Sequence, residues 1–172
     1  LALSGFLTLN YSAGTPTEVA VEGDMVYVTA WDIGVYCVDV SDPNSPVLVG
    51  TYDSAGAAYR VYPDGDLLYL ADYNGGLVIL DVADPAGVTQ LGQVAMTENA
   101  LGVHVIGDEA FVYEGYTSDL LVRVDVSDPT TPFIVESISV RDRTNDVTGN
   151  GRYVFIRYSD DDTGSGARMY RV

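Results

Sequence analysis

The chain has 172 residues, a length that fits one domain with a core of its own. Hydrophobic residues make up 47% of it and charged residues 19%, with 13 Tyr and 18 Gly, which favours strands and tight turns and argues against disorder or long helices. The 25 acidic residues against 8 basic ones give a net charge of −17, which counts against nucleic acid and anionic lipid as partners.

The first segment of the chain is an apolar run with a glycine in it. Gly5 aligns with Gly50 and Gly92, each of which belongs to the last strand of a unit that the chain repeats. We therefore expect Leu3 to Leu9 to form such a strand and to pair beside Arg168 to Val172, near the other end of the chain.

The first repeated unit, approximately residues 15 to 56, shows the strand order that the later units follow. An apolar strand leads into the turn Gly23-Asp24, and the aromatic-rich stretch Met25 to Val28 predicts a second strand. After a polar loop, a third strand ends in Asp39-Val40-Ser41-Asp42-Pro43, and a fourth strand follows the Asp-Pro turn. The proline lies just past a strand end, where its missing N–H breaks no hydrogen bond of the sheet.

Three further units follow in register, over residues 57 to 98, 99 to 141, and 142 to 172 together with 1 to 10. The Asp-Pro motif returns at Asp81 to Pro85 and at Asp125 to Pro129, with steps of 42 and 44 residues. One aromatic residue per unit keeps the same register: Tyr27, Tyr69, Phe111 and Phe155.

Four such units predict an all-β fold, a β-propeller of four repeats of four antiparallel strands. The ring is expected to close by pairing of the N-terminal strand with the C-terminal blade. An immunoglobulin-like sandwich also has many short strands, but it would not place several markers at one interval. The sequence leaves open whether closure occurs within one chain or between chains, as an eight-bladed dimeric ring or a fibre.

The stretch Gly76 to Pro85 resembles the LVIVD-repeat family, whose units end a strand in an LVIVD-like sequence and turn through Ser-Asp-Pro. Residues 35 to 46 and 121 to 132 repeat the pattern, whereas the last unit reads Met169-Tyr170-Arg171-Val172, with Arg in place of Asp. The resemblance implies a β-propeller of the kind found in bacterial and archaeal surface or secreted proteins, and it implies no catalytic residues. An extracellular or cell-surface location is therefore expected, although this chain contains no signal sequence with a basic first region.

Loops between the second and third strands of each unit should share one face of the propeller, which is the usual binding face by analogy with the fold. They carry a mixture of aromatic, acidic and amide side chains: Trp31, Asp32, Asp72, Tyr73, Asn74, Glu114 and Tyr116. Such a mixture suits a glycan, a cationic peptide or a divalent ion, and the alternative is a solvated acidic rim.

The innermost strands are expected to line a central channel with Glu18, Arg60 and Asp146 at equivalent positions, and with His104 two residues after the equivalent Gly102. Unequal residues at equivalent positions are typical of a site, but an ion pair of Arg60 with Glu18 or Asp146 would account for them structurally. A single histidine without a positioned nucleophile predicts neither a metal site nor a catalytic base.

The acidic loop near the end of the chain only partly matches a calcium-binding pattern. Asp160 and Asp162 have suitable spacing, but the terminal Glu of an EF-hand is missing, so a hydrated loop is favoured. No metal and no cofactor are predicted.

The sequence favours a non-catalytic binding or scaffolding module, secreted or on the cell surface, that presents its acidic and aromatic loop face to a protein or glycan. One alternative is a structural subunit that assembles by exchange of the N-terminal strand into a dimeric ring or fibre. The other is a carboxylate-based hydrolase or lyase on the loop face, which would need paired acids at a separation that sequence cannot place.

Overall fold

A computed structural model describes residues 4–9, 14–140, 146–160 and 164–172, with only the backbone of 158–160, 164 and 165. These residues form four antiparallel sheets. They contain no helix long and apolar enough to cross a membrane.

The four sheets are the blades, and in each the strands follow one another in chain order. The first blade contains β1 (Pro16–Glu22), β2 (Met25–Ala30), β3 (Gly34–Asp39) and β4 (Val47–Tyr52). The second contains β5 (Arg60–Asp64), β6 (Leu67–Ala71), β7 (Leu77–Asp81) and β8 (Thr89–Val94). The third contains β9 (Ala100–Ile106), β10 (Glu109–Glu114), β11 (Leu120–Asp125) and β12 (Phe133–Ser139). The fourth contains β13 (Val147–Gly149), β14 (Tyr153–Asp160) and β15 (Gly164–Arg171).

The Asp-Pro motifs are turns held by their own aspartates. Asp39 and Asp42 accept hydrogen bonds from the backbone N–H groups of Ser41 and Asn44, at 2.8 and 3.0 Å. The corresponding aspartates of the second and third blades each accept a hydrogen bond from the backbone N–H group two residues further along the chain. Six of the acidic residues therefore stabilise local turns, a use of Asp that is common where the chain reverses.

Apolar cores join consecutive blades around the ring. Tyr27 and Cys37 of the first blade pack with Leu68 and Leu80 of the second, and Cys37 is fully buried there. Equivalent clusters join the second blade to the third and the third to the fourth. The second and third blades thus bury both faces against their neighbours, which explains the continuous apolar character of their central strands.

Glycines in the outer strands let neighbouring blades approach closely. A Cβ atom added to Gly50 would lie 1.8 Å from the carbonyl oxygen of Pro85, in the Asp-Pro turn of the next blade. A Cβ atom on Gly92 would lie 2.3 Å from the carbonyl oxygen of Pro129. These positions have no room for a side chain, so the glycines determine the distance between outer strand and turn.

The predicted four-bladed β-propeller is confirmed, with one difference at its closure. The described part of the fourth sheet has three strands, and residues 4–9 form no strand, so the expected pairing with Arg168 to Val172 is not made there. The segment instead packs on the first blade: a Cβ atom on Gly5 would lie 2.5 Å from the Pro43 carbonyl oxygen, and Leu9 is buried. Burial of Leu9 and the close approach of Gly5 to the Pro43 turn thus hold the segment on the first blade, while Phe6 and Leu7 stay exposed.

Candidate functional site

Three aromatic side chains meet on the loop face where the first two blades adjoin. Trp31 follows β2 and Tyr73 follows β6, and their ring centroids lie 4.8 Å apart at an angle of 57°. Tyr59, just before β5, contacts Trp31 edge to face with 5.8 Å between centroids. All three rings are half-buried, so part of each is open to a ligand. Tyr59 was not among the predicted site residues, although an aromatic residue in a loop that enters an inner strand could have indicated it.

The backbone of Tyr73 has an unusual conformation. Its φ is 48°, a left-handed value that side chains other than glycine seldom adopt. Its carbonyl oxygen accepts hydrogen bonds from the N–H groups of Gly76 and Ala100, at 3.2 and 2.9 Å. These bonds hold the turn that directs the Tyr73 ring onto Trp31, and such outliers often occur at functional positions.

Two predicted acids of the loop face, Asp72 and Glu114, are buried side chains that hold loops in place. Asp72 accepts a hydrogen bond from the N–H of Gly56 at 2.8 Å, and burial raises the pKa of its carboxyl group. Glu114 accepts one from the N–H of Thr97 at 2.9 Å and another from the Thr97 hydroxyl. The carboxylates occupy the same place in consecutive blades, and each fastens the loop that leads into the inner strand.

Glu98 extends this arrangement across the third blade. Its carboxylate accepts hydrogen bonds from the N–H groups of Thr117 and Ser118, at 2.7 and 3.1 Å, and from both hydroxyls. Hydrogen bonds from Thr117 and then Ser118 lower the pKa of Glu98 to about 2. The β10–β11 loop is therefore held by a carboxylate from the loop before β9.

The remaining predicted residues of the loop face are accessible. Asp32 and Asn74 are exposed beside Trp31 and Tyr73, next to them in sequence. Asp32 also lines a groove of about 400 Å³ together with Tyr36 and Asp53. Tyr116, on the third blade, has 82% of its surface exposed. The structure thus brings Trp31 and Tyr73 together and leaves polar groups around them.

The predicted channel is a cavity of about 400 Å³ lined by all four inner strands. The Arg60 Nη1 and Glu18 Oε1 atoms lie 3.0 Å apart, and Glu18 Oε2 accepts a hydrogen bond from the Val61 N–H at 2.7 Å. Burial nevertheless raises the pKa of Glu18, and the Asp146 carboxylate adds to that rise. The ion pair gives Arg60 and Glu18 a structural role in joining the first two blades.

His104 packs edge to face on Tyr62 in the same channel, with 4.6 Å between ring centroids. Burial lowers the pKa of its imidazole. Over the ranges that the structure describes, no three His, Cys, Asp or Glu residues are grouped to hold a metal ion. The predicted calcium candidates, the Asp160 side chain and Asp162, lie outside the described residues.

Comparison with protein families gives three matches along the chain. The model of the LVIVD repeat matches residues 13–54, 55–96 and 99–140. A search among curated proteins finds no match.

Solved structures with a similar fold include designed and natural propellers. The computationally designed Ika4 protein is 9% identical over 98% of this chain and 97% of its own, with a TM-score of 0.75. A putative 6-phosphogluconolactonase from Bacteroides fragilis is 16% identical over 98% of this chain and 58% of its own, with a TM-score of 0.71. The β-propeller domain of Cps50 (Swd1) from Myceliophteria thermophila is 10% identical over 92% and 54%, with a TM-score of 0.71. The chain spans a little over half of each natural neighbour, and at these identities the likeness shows the fold alone.

Proposed function

Since the chain belongs to the LVIVD repeat family and folds as a β-propeller, we propose that it is a non-catalytic binding module whose acidic and aromatic loop face takes a protein or glycan. The observation that carries this proposal is the contact of Trp31 with Tyr59 and Tyr73. Half-buried rings beside exposed polar side chains form a surface that is apolar at its centre and polar at its edge. Binding sites are commonly built in this way.

The chemistry of this surface limits the ligand. The faces of aromatic rings attract cationic side chains and pack against the apolar faces of sugars, and Asp32 and Asn74 can bond to ammonium or hydroxyl groups. The net charge of −17 disfavours polyanions. A neutral glycan or a basic peptide segment therefore fits better than an acidic polysaccharide.

The proposal can be tested by fluorescence, because Trp31 is the only tryptophan of the chain. We expect a saturable change in its emission on titration with neutral oligosaccharides or with Lys- and Arg-rich peptides. Calorimetry should then show binding at least about tenfold weaker in Trp31→Ala and Tyr73→Ala, since aromatic contacts at such sites each contribute more than about 1.4 kcal/mol.

Phe133→Ala is the matched control, because Phe133 is an exposed aromatic residue on the outer strand β12. This variant should bind like the wild type. The proposal fails if no ligand of either class binds, or if the three variants bind equally well.

The buried acids favour this function over a carboxylate-based hydrolase or lyase. Asp72 and Glu114, buried acids at equivalent positions of the second and third blades, accept hydrogen bonds from backbone N–H groups. A hydrolase would require a pair of carboxylates that reach the substrate. Turnover of a glycoside panel that is lost in Asp32→Asn would favour the enzyme instead.

We further propose that the protein acts outside the cell or on its surface. The resemblance to the LVIVD-repeat family and the acidic composition without lysine support this location. Fractionation of the source cells with an antibody against the chain should find it in surface or secreted material, and its confinement to the cytosol would contradict the proposal.

A further inference from the structure

One junction of the ring lacks the apolar core that the other three have. The first blade has an apolar cluster on the side that faces the fourth blade. Among the described residues, the buried members of this cluster come from the first blade and Leu9, and none comes from the fourth blade. Val19 is 60% exposed there, whereas the equivalent Val61, Val103 and Val147 are 5 to 6% exposed. The inner strand of the first blade thus presents an apolar face without an apolar cover.

The fourth blade presents the complementary face. Met169 of β15 occupies the position of Cys37 and Ile79, which are fully buried against the next blade, yet Met169 is 59% exposed. In the described part of the chain β15 is also the edge strand of its sheet. A long edge strand next to an exposed apolar side chain is a surface that another strand can extend.

Residues 4–9 have the position of an outer strand but not its hydrogen-bonded partner. Gly5 approaches the turn of the first blade at Pro43 as Gly50 and Gly92 approach the turns of their next blades. Leu9 is buried among first-blade residues. The segment therefore packs on the first blade. The sheet to which it would add as an outer strand is that of a fourth blade.

Each side of this junction carries an acidic side chain that faces the central cavity. Glu18 of the first blade and Asp146 of the fourth line the same cavity, and the Asp146 carboxylate contributes to the raised pKa of Glu18. Like charges held together in a partly buried site cost free energy.

We propose that a second copy of this chain covers the junction. The first blade of one copy, carrying its residues 4–9, packs on the fourth blade of the other, and residues 4–9 add to the edge strand β15 of that copy. The same contact made twice around a two-fold axis closes a ring of eight blades and removes both exposed faces. A second copy fits this junction because the two exposed faces are complementary. At the other three junctions, the equivalent faces of consecutive blades pack against each other.

The first test is the mass of the purified chain by light scattering at several concentrations. The proposal predicts a species of twice the 18.4 kDa chain mass that dissociates on dilution. Since each copy carries a charge of −17, salt should screen the repulsion between copies and lower the dissociation constant of the dimer. A monomer at all concentrations, or a series of ever larger masses, would overturn the two-chain ring.

Two variants locate the contact. Val19→Lys places a charge on the open face and should raise the dissociation constant at least about tenfold. Val135→Lys makes the same change of charge at an exposed valine of β12, on the third blade, and should leave it within about twofold. Equal effects of both variants would contradict the proposed surface.

Hydrogen exchange provides a readout that does not depend on a folded variant. In the wild type, amides of the β15 peptide should become more protected as the protein concentration rises, while those of β7 stay constant. Protection of β15 that is independent of concentration would overturn strand addition between copies. Ligand binding on the loop face is a separate property, so either proposal can fail without the other.

Discussion

At the scale of single residues, the buried carboxylates have the most definite consequences. Asp72 is fully buried and accepts a hydrogen bond from the Gly56 N–H, and burial raises the pKa of its carboxyl group. Its ionised form is therefore disfavoured in the folded state. This contribution makes the protein less stable as the pH rises from below 3.8, the ordinary pKa, through the raised pKa of the folded state.

Replacement of Asp72 separates its charge from its hydrogen bond. Asp72→Ala should lower the free energy of unfolding by about 1–3 kcal/mol, because the Gly56 N–H loses its acceptor. Asp72→Asn keeps an acceptor oxygen without a charge and should be at least as stable as the wild type at neutral pH. Urea unfolding measures the free energy of unfolding of both variants. The control is Asp32→Ala at an exposed position, whose free energy of unfolding should lie within about 0.5 kcal/mol of the wild-type value. Equal destabilisation by Ala and Asn would contradict this account.

Glu98 should show the opposite dependence on pH. Its pKa is lowered to about 2 by hydrogen bonds from Thr117 and Ser118, so its contribution to stability is complete above 4.5, the ordinary pKa. The contribution is lost as the pH falls from 4.5 towards about 2. The difference in Tm between the wild type and Glu98→Gln should therefore be present at neutral pH and should close near pH 2. A constant difference across this range would show that the carboxylate charge has no part in it.

At the scale of elements, the close approach of outer strand and turn determines the spacing of the blades. Gly92→Ala would place a methyl group 2.3 Å from the carbonyl oxygen of Pro129, so backbone must move. We expect a loss of about 1–3 kcal/mol in the free energy of unfolding. Gly87→Ala is the matched control, since its nearest neighbour would be the Asp84 carboxylate at 3.5 Å. If both variants unfold at the same denaturant concentration, the close contact does not limit stability.

The elements themselves could be predicted because their signals are local and repeated. Gly23-Asp24 and its equivalents mark tight turns, and the Asp-Pro motifs mark strand ends, so strand order and blade number follow from sequence. The contact of Trp31 with Tyr73 and the burial of Asp72 and Glu114 depend on how loops of different blades pack. That packing leaves no pattern in one sequence, because an acidic residue after a strand looks the same whether it faces solvent or a backbone N–H.

At the scale of the whole molecule, net charge acts on stability. Twenty-five acidic residues repel one another in the folded state more than in the extended chain. Salt shortens the Debye length from about 30 Å at about 0.01 M to about 3 Å at about 1 M. The Tm at a fixed protein concentration should therefore rise with added sodium chloride, as measured by circular dichroism. A Tm that falls would mean that ion pairs such as Arg60 with Glu18 outweigh the general repulsion.

Cys37 can report on transient opening of the interface between the first two blades. The thiol is fully buried in the core between the first two blades, and desolvation raises its pKa to about 11. An alkylating reagent needs an accessible thiolate, so it can react only while those two blades are apart. The labelling rate of this single cysteine, followed by mass spectrometry, would therefore report how often the interface between the first two blades opens.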